Sequence, residues 1–195
     1  LKEKVTDIVL QQNMYIGDSA FENCKKLKSI NGDFVTSIGS KAFKNCKSLT
    51  KISFPNAHIV GMNAFEGCTS LTDAKLPNAR VSAGAFKNAK NLRTLELLMV
   101  DREAQLALIF DDYDDLDSYN LNTVRIGQTQ IPSDFAEGLP SLKNVEFTAE
   151  NPNVNFGALE GSTVEGYYNN LFGTVGASVY IGAREILTDL WYIHP

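Results

Sequence analysis

Cys24, Cys46 and Cys68 recur at an interval of 22 residues, and thiols at a fixed interval can ligate a metal, form disulfides or simply pack. A second concentration of reactive types is Asp111-Asp-Tyr-Asp-Asp-Leu-Asp-Ser-Tyr-Asn120, with five aspartates and two tyrosines. Calcium fits this segment poorly. An EF-hand loop needs Gly at its sixth position and Glu at its twelfth, and counting from Asp112 these are Asp117 and Thr123. Three readings stay open: a solvated acidic loop, a partner-contact loop presenting Asp112, Tyr113, Asp115 and Tyr119, or an unconventional calcium site. Catalytic groupings are missing from the sequence. Its histidines are His58 and His194, and it has no His-x-x-x-His, Gly-x-Ser-x-Gly, Walker loop or Gly-x-Gly-x-x-Gly. No catalytic, cofactor or metal site is assigned, and the expectation is a protein that is not an enzyme.

A repeat must position these residues. Ile16-Gly-Asp-Ser-Ala-Phe-Glu-Asn-Cys24, Ile38-Gly-Ser-Lys-Ala-Phe-Lys-Asn-Cys46, Val60-Gly-Met-Asn-Ala-Phe-Glu-Gly-Cys68 and Val81-Ser-Ala-Gly-Ala-Phe-Lys-Asn-Ala89 are versions of one phrase. Self-similarity at a period of about 22 residues marks a solenoid whose coils bury their apolar sides against one another. After each phrase an alternating segment follows, as in Leu49, Ile52, Phe54 and in Leu92, Leu95, Leu97. Alternation predicts a half-buried strand, and the Ala-Phe-x-x-Cys-x-x-Leu spacing predicts a short helical turn. The leading apolar positions are Val5, Leu27, Leu49, Leu71, Leu92, Leu121, Leu142, Val164 and Ile186, which implies about nine coils. The late phrases Ile131–Leu139 and Val175–Ala183 are worn versions of the early ones.

Stacked coils narrow the cysteine chemistry. Ligands of one zinc lie within about 4.6 Å of each other, whereas Cys24 and Cys68 would be two coils apart, roughly 10 Å. A one-coil offset of roughly 5 Å does permit a disulfide. The alternatives are three reduced thiols packed as a ladder, the favoured reading because Ala89 takes the next place, and one bridge with one thiol left over. The interval from Leu92 to Leu121 is 29 residues, so a surplus of seven falls in the acidic segment. Removing Asp111 to Asp117 should restore the period and leave folding intact.

Side chains two and four places after each leading position point away from the core, which puts Lys51, Lys75, Glu96 and Arg125 on the open face of the sheet. Lys75, Glu96, Arg125 and Glu146 alternate in sign, as neighbouring strands prefer. Charge is also divided along the chain. Residues 1–99 hold 14 Lys/Arg against 8 Asp/Glu, residues 100–120 hold 1 against 7, and residues 121–195 hold 3 against 8. The Lys25, Lys47 and Lys90 register could attract a polyanion, although a solvated face is the commoner meaning of such a row. Nothing aromatic interleaves these lysines for base stacking, so no nucleic-acid partner is expected. No apolar run approaches the ~20 residues of a membrane span, so membrane insertion is not expected. The chain opens on Leu1-Lys-Glu-Lys without an apolar leader and is read as a mature or trimmed piece.

The phrase Ile-Gly-x-x-Ala-Phe-x-x-Cys-x-x-Leu-x-x-Ile-x-Phe/Leu-Pro, best kept over Ile38–Pro55 and Val60–Pro77, resembles the BspA type of leucine-rich repeat. The resemblance covers residues 16–97 closely and 121–147 more loosely. It implies a surface or secreted protein, adhesin-like, binding a matrix, serum or microbial surface protein, with no catalytic residues to carry over. The fold expected is α/β: a right-handed leucine-rich-repeat solenoid with a parallel sheet on one face and short helical turns on the other. One domain should span 1–195, with regular repeats over 1–99, an irregular coil with its acidic insertion over 100–120, repeats over 121–168, and a degenerate final coil or cap over 169–195. Glycan or polyanion binding through the basic N-terminal half is the alternative function.

Overall fold

A computed structural model describes residues 4–100, 106–127, 139, 141–147, 178–181 and 184–185. The strands are β1 (Asp7–Ile8), β2 (Met14–Ile16), β3 (Ser29–Ile30), β4 (Val35–Ile38), β5 (Lys51–Ser53), β6 (Ile59–Val60), β7 (Asp73–Val81), β8 (Thr94–Val100), β9 (Thr123–Ile126), β10 (Asn144–Phe147), β11 (Ser178–Ile181) and β12 (Arg184–Glu185). Helix α1 (Leu106–Phe110) and a 3₁₀ turn (Leu116–Ser118) lie between β8 and β9. Apart from the antiparallel β11–β12 pair, every strand pairing is parallel, which makes the fold a parallel β-sheet solenoid.

Each early coil contributes two strands where the alternation predicts one. The expected ladder runs through β5, β7, β8, β9 and β10, with Asp73 opposite Thr94 and Thr94 opposite Thr123. A second ladder joins Tyr15 to Ser37, Ser37 to Ile59, Ile59 to Arg80 and Arg80 to Met99. In β7 the ladders merge into one strand whose register shifts between Leu76 and Arg80. Pro77 sits in that interval, and proline has no N–H to give a ladder.

The return phrases are the main departure from expectation. Instead of helical turns they are chains of tight turns. The N–H groups of Ala20 and Cys24 bond within the coil, to the carbonyls of Gly17 (3.2 Å) and Phe21 (3.0 Å), while those of Ser19, Phe21 and Asn23 donate to Ser40, Ala42 and Lys44 of the next coil at 2.8–2.9 Å. A helix would direct all of these N–H groups along its own axis. Left-handed backbone at Ser19, Asn23, Lys41, Asn45, Asn63, Gly67, Gly84 and Asn88 turns alternate groups sideways, so the return side is itself a hydrogen-bonded stack. Among the described residues the helical elements are α1 and the 3₁₀ turn, both in the irregular coil.

The core fills the space between these walls. Leu27, Leu49, Leu71, Leu92, Leu121 and Leu142 are buried, as are Ala42, Ala64, Ala85 and Phe54. Phe21, Phe43, Phe65 and Phe86 stack face to face with ring centroids 5.3, 5.3 and 5.4 Å apart. The coils approach closely at one corner, where a Cβ on Gly61 would meet the backbone nitrogen of Ser40 at 2.7 Å. A side chain there would push coils apart.

Two expectations about the C-terminal part are corrected. The phrase at Val175–Ala183 was expected on the return side, yet Ser178–Ile181 is β11, in the sheet beside β10 with Ser178 opposite Asn144. It turns back into the antiparallel β12, so the 22-residue register does not run through this part and the described strands do not carry the count of about nine coils. The phrase at Ile131–Leu139, apart from Leu139, the leading positions Val164 and Ile186, and the aromatic end with Trp191 and Tyr192 lie outside the described residues.

Candidate interaction surfaces

The thiols are structural. Cys24, Cys46 and Cys68 are free and buried, so the bridge alternative is not realised. Cys46 Sγ donates to the carbonyl of Phe21 and Cys68 Sγ to that of Phe43, both at 3.2 Å, tying each coil to the one before. Burial pushes the Cys68 thiol well above its ordinary value, with the neighbouring Cys46 adding to the shift, so it stays protonated. Among the described residues no group of three or more His, Cys, Asp and Glu is placed to hold a metal ion, and no helix is long and apolar enough to cross a membrane.

The open face is assembled as the alternation predicts. Lys51 lies opposite Asp73, and their side chains approach to 3.6 Å. Lys75, Glu96, Arg125 and Glu146 stand opposite one another on β7, β8, β9 and β10, a row of alternating charge across four strands. Lys75 is exposed, and Glu96 and Arg125 are half-buried. At its exposure the Lys51–Asp73 ion pair contributes little to stability.

The acidic insertion is not a free overhang. Tyr119 is buried, its ring packed on Phe110 with centroids 4.5 Å apart, and Phe110 follows Ile109, which accepts the Phe86 N–H as Ala85 accepts that of Phe65. The Tyr119 hydroxyl accepts the backbone N–H of Asn88 at 2.7 Å and donates to Asp112 at 3.2 Å. Burial pushes this phenol well above its ordinary value, with the Asp112 and Asp115 carboxylates adding to the shift. Asp111 pairs with Lys87 at 3.3 Å, and Asp115 with Lys90. The hydrogen bond from Lys90 holds the Asp115 carboxyl below the usual carboxylate range, and the same bond raises Lys90. Leu116 is buried, so removing Asp111 to Asp117 would take out a core side chain, contrary to the expectation that the deletion leaves folding intact. Of the segment's residues singled out from the sequence, Tyr113 is exposed and Asp112 half-buried.

Sequence reasoning also missed a surface. Met14, Tyr15, Ile59 and Met62, all exposed, lie on or beside the second ladder, and the exposed Phe34 precedes β4. The Val35-Thr-Ser-Ile38 run is the sequence signal that could have revealed this ladder, since β-branched residues favour a pleated surface.

Two walls of parallel ladders around columns of Leu, Phe and Cys define a leucine-rich solenoid. The model of the BspA type leucine-rich repeat region matches six copies over residues 2–103, and the chain belongs to that family. Among solved structures, the T. pallidum leucine-rich repeat protein TpLRR is 19% identical with a TM-score of 0.53, the match covering 72% of this chain and 71% of that one. An internalin from Listeria monocytogenes is 14% identical with a TM-score of 0.50, over 94% of this chain and 49% of that one. A leucine-rich cell surface protein from Faecalibacterium prausnitzii is 23% identical with a TM-score of 0.47, over 75% and 48%. The chain thus spans about half the length of the latter two. No curated protein matches it.

Proposed function

We propose that this chain is a non-enzymatic protein-interaction module, adhesin-like and displayed at a cell surface or secreted, whose principal contact area is the open face of the parallel sheet. The observation that carries this reading is the in-register row Lys75, Glu96, Arg125 and Glu146, because a fixed charge pattern across rigid strands selects partners by complementarity. Family membership over residues 2–103 supports it, and so does the general use of solenoid faces as extended binding surfaces. Lys51 on the face extends the same area, and Asp112, Tyr113 and Asp115 offer a separate contact on the insertion held by Lys87 and Lys90. The partner class is a matrix, serum or microbial surface protein. A second reading, glycan or polyanion binding through the basic N-terminal half, draws on the excess of 14 Lys/Arg over 8 Asp/Glu in residues 1–99.

The test is capture of purified matrix and serum proteins by the immobilised chain, repeated with Lys75→Glu and Arg125→Glu. Reversing two charges in the row should weaken capture of the cognate protein about tenfold or more, and Lys75→Ala with Arg125→Ala, compared by melting temperature, separates lost contact from the cost of like charges in register. Capture unaffected by both reversals would remove the open face as the contact area. Binding of sulfated polysaccharide that collapses on raising salt, with no protein captured, would favour the second reading.

A further inference from the structure

The return side of the solenoid carries two rows of charge, and they are treated differently. In the first, successive coils alternate in sign: Glu22, Lys44, Glu66, Lys87 and then Asp111, with Lys44 and Glu66 paired at 2.8 Å and Lys87 and Asp111 at 3.3 Å. The second row runs Lys25, Lys47, Thr69, Lys90 and then Asp115. Its C-terminal lysine is neutralised, because the insertion brings Asp115 to Lys90. Its N-terminal pair is not. Lys25 and Lys47 occupy the same place in adjacent coils, whose stacked rings Phe21 and Phe43 are 5.3 Å apart. Ser48 Oγ donates to the carbonyl of Lys25, which fixes the two coils at this corner. Lys25, Lys26 and Lys47 are all exposed, and no described carboxylate forms an ion pair with any of them. Like charges directly opposite on neighbouring coils are unfavourable, so an anion placed between them is drawn in.

We propose that the Lys25, Lys26 and Lys47 cluster binds an aspartate-rich segment of a partner protein, supplying from outside the carboxylates that Asp111 and Asp115 supply to Lys87 and Lys90 from within the chain. The polypeptide source is favoured because this chain already neutralises the same row in that way, with side-chain carboxylates carried on a short acidic stretch. The inference rests on the reading of the chain as a protein-interaction module but places a second contact on the opposite side from the open sheet.

The probe is a fluorescently labelled peptide of the sequence Asp111–Asn120, titrated with the intact chain and followed by anisotropy at low and physiological ionic strength. Binding is expected, weakening as salt rises, and falling about tenfold or more in the Lys25→Glu, Lys47→Glu double variant. A peptide with every Asp replaced by Asn should not bind. Lys25→Ala with Lys47→Ala, compared by melting temperature, keeps the result readable if charge reversal disturbs folding. Lys75→Glu should leave peptide binding intact, so failure of the open face and failure of this cluster are told apart. Equal binding to the wild type and both double variants, no binding at low salt, or binding of heparin without binding of the peptide would each overturn the proposal.

Discussion

The regular coils over residues 4–100 and the irregular coil over residues 106–127 solve the same packing problem by different means. In the regular coils, identical side chains repeat: Phe43 lies between Phe21 and Phe65, and backbone groups bond from coil to coil along the return side. In the irregular coil α1 replaces those turns, and Tyr119 packs on Phe110. It keeps part of the backbone ladder, from Gly84 to Leu108 and from Phe86 to Ile109, and adds side-chain attachments: Tyr119 to Asn88, Lys87 to Asp111, Lys90 to Asp115. A repeated coil is held by many equivalent contacts, each expendable in small part. The irregular coil leans in addition on contacts of its own, Tyr119 with Asn88 and Lys90 with Asp115.

Truncation in the regular column should have the largest effect. Phe43→Ala removes a fully buried ring and is expected to cost about 3–5 kcal/mol in urea unfolding, whereas Phe21→Ala, at the half-buried end of the stack, should cost less. Equal losses at the two positions would mean that the column has no end effect and that the coils do not support one another as described.

A smaller but more local effect is expected at Tyr119. Tyr119→Phe keeps the ring against Phe110 and leaves the Asn88 N–H without its acceptor, which should cost about 1–2 kcal/mol. Hydrogen exchange should speed up at Asn88 and through the insertion before it does in the Phe43 coil. If exchange rose uniformly, the contrast between a shared and an individual mode of attachment would be lost.

Backbone strain offers a gain instead of a loss. Lys41 is exposed and held at φ 57°, and Gly84 occupies its place two coils on at φ 65°. Lys41→Gly should raise stability by up to about 1 kcal/mol, since relief of the left-handed strain exceeds the added entropy of the unfolded chain. A drop in stability would show that the side chain holds the turn.

The smallest effect is the pH response of the insertion. Asp115 titrates below the ordinary carboxylate range, so its contribution is present above that range and is lost as pH falls through its lowered value. Lys90 is raised, so its contribution is present below the ordinary lysine range and is lost as pH rises through the raised value. Acidification should therefore loosen Asp111–Asn120 to limited proteolysis before the regular coils open, and Lys90→Ala should remove most of that difference. Loss of both regions at one pH in the wild type would count against the pairing.

Much of this molecule follows from its sequence alone. A 22-residue period forces stacking, alternation assigns Lys75, Glu96 and Arg125 to the outer face, and the shared place of Cys24, Cys46 and Cys68 with Ala89 requires a small buried site. These are one-dimensional patterns, and each is set by neighbours along the chain or one period away. Tertiary structure decided the rest. The phrase read as helical became a stacked turn because alternate N–H groups found acceptors in the next coil, which no local spacing reveals. Tyr119 went inside because the stacking of coils brings its ring onto Phe110 and its hydroxyl to both Asn88 and Asp112. The acidic segment folded down because Lys87 and Lys90 of the preceding coil lay beneath it, a contact between residues about 25 positions apart that only the stacking of coils brings together.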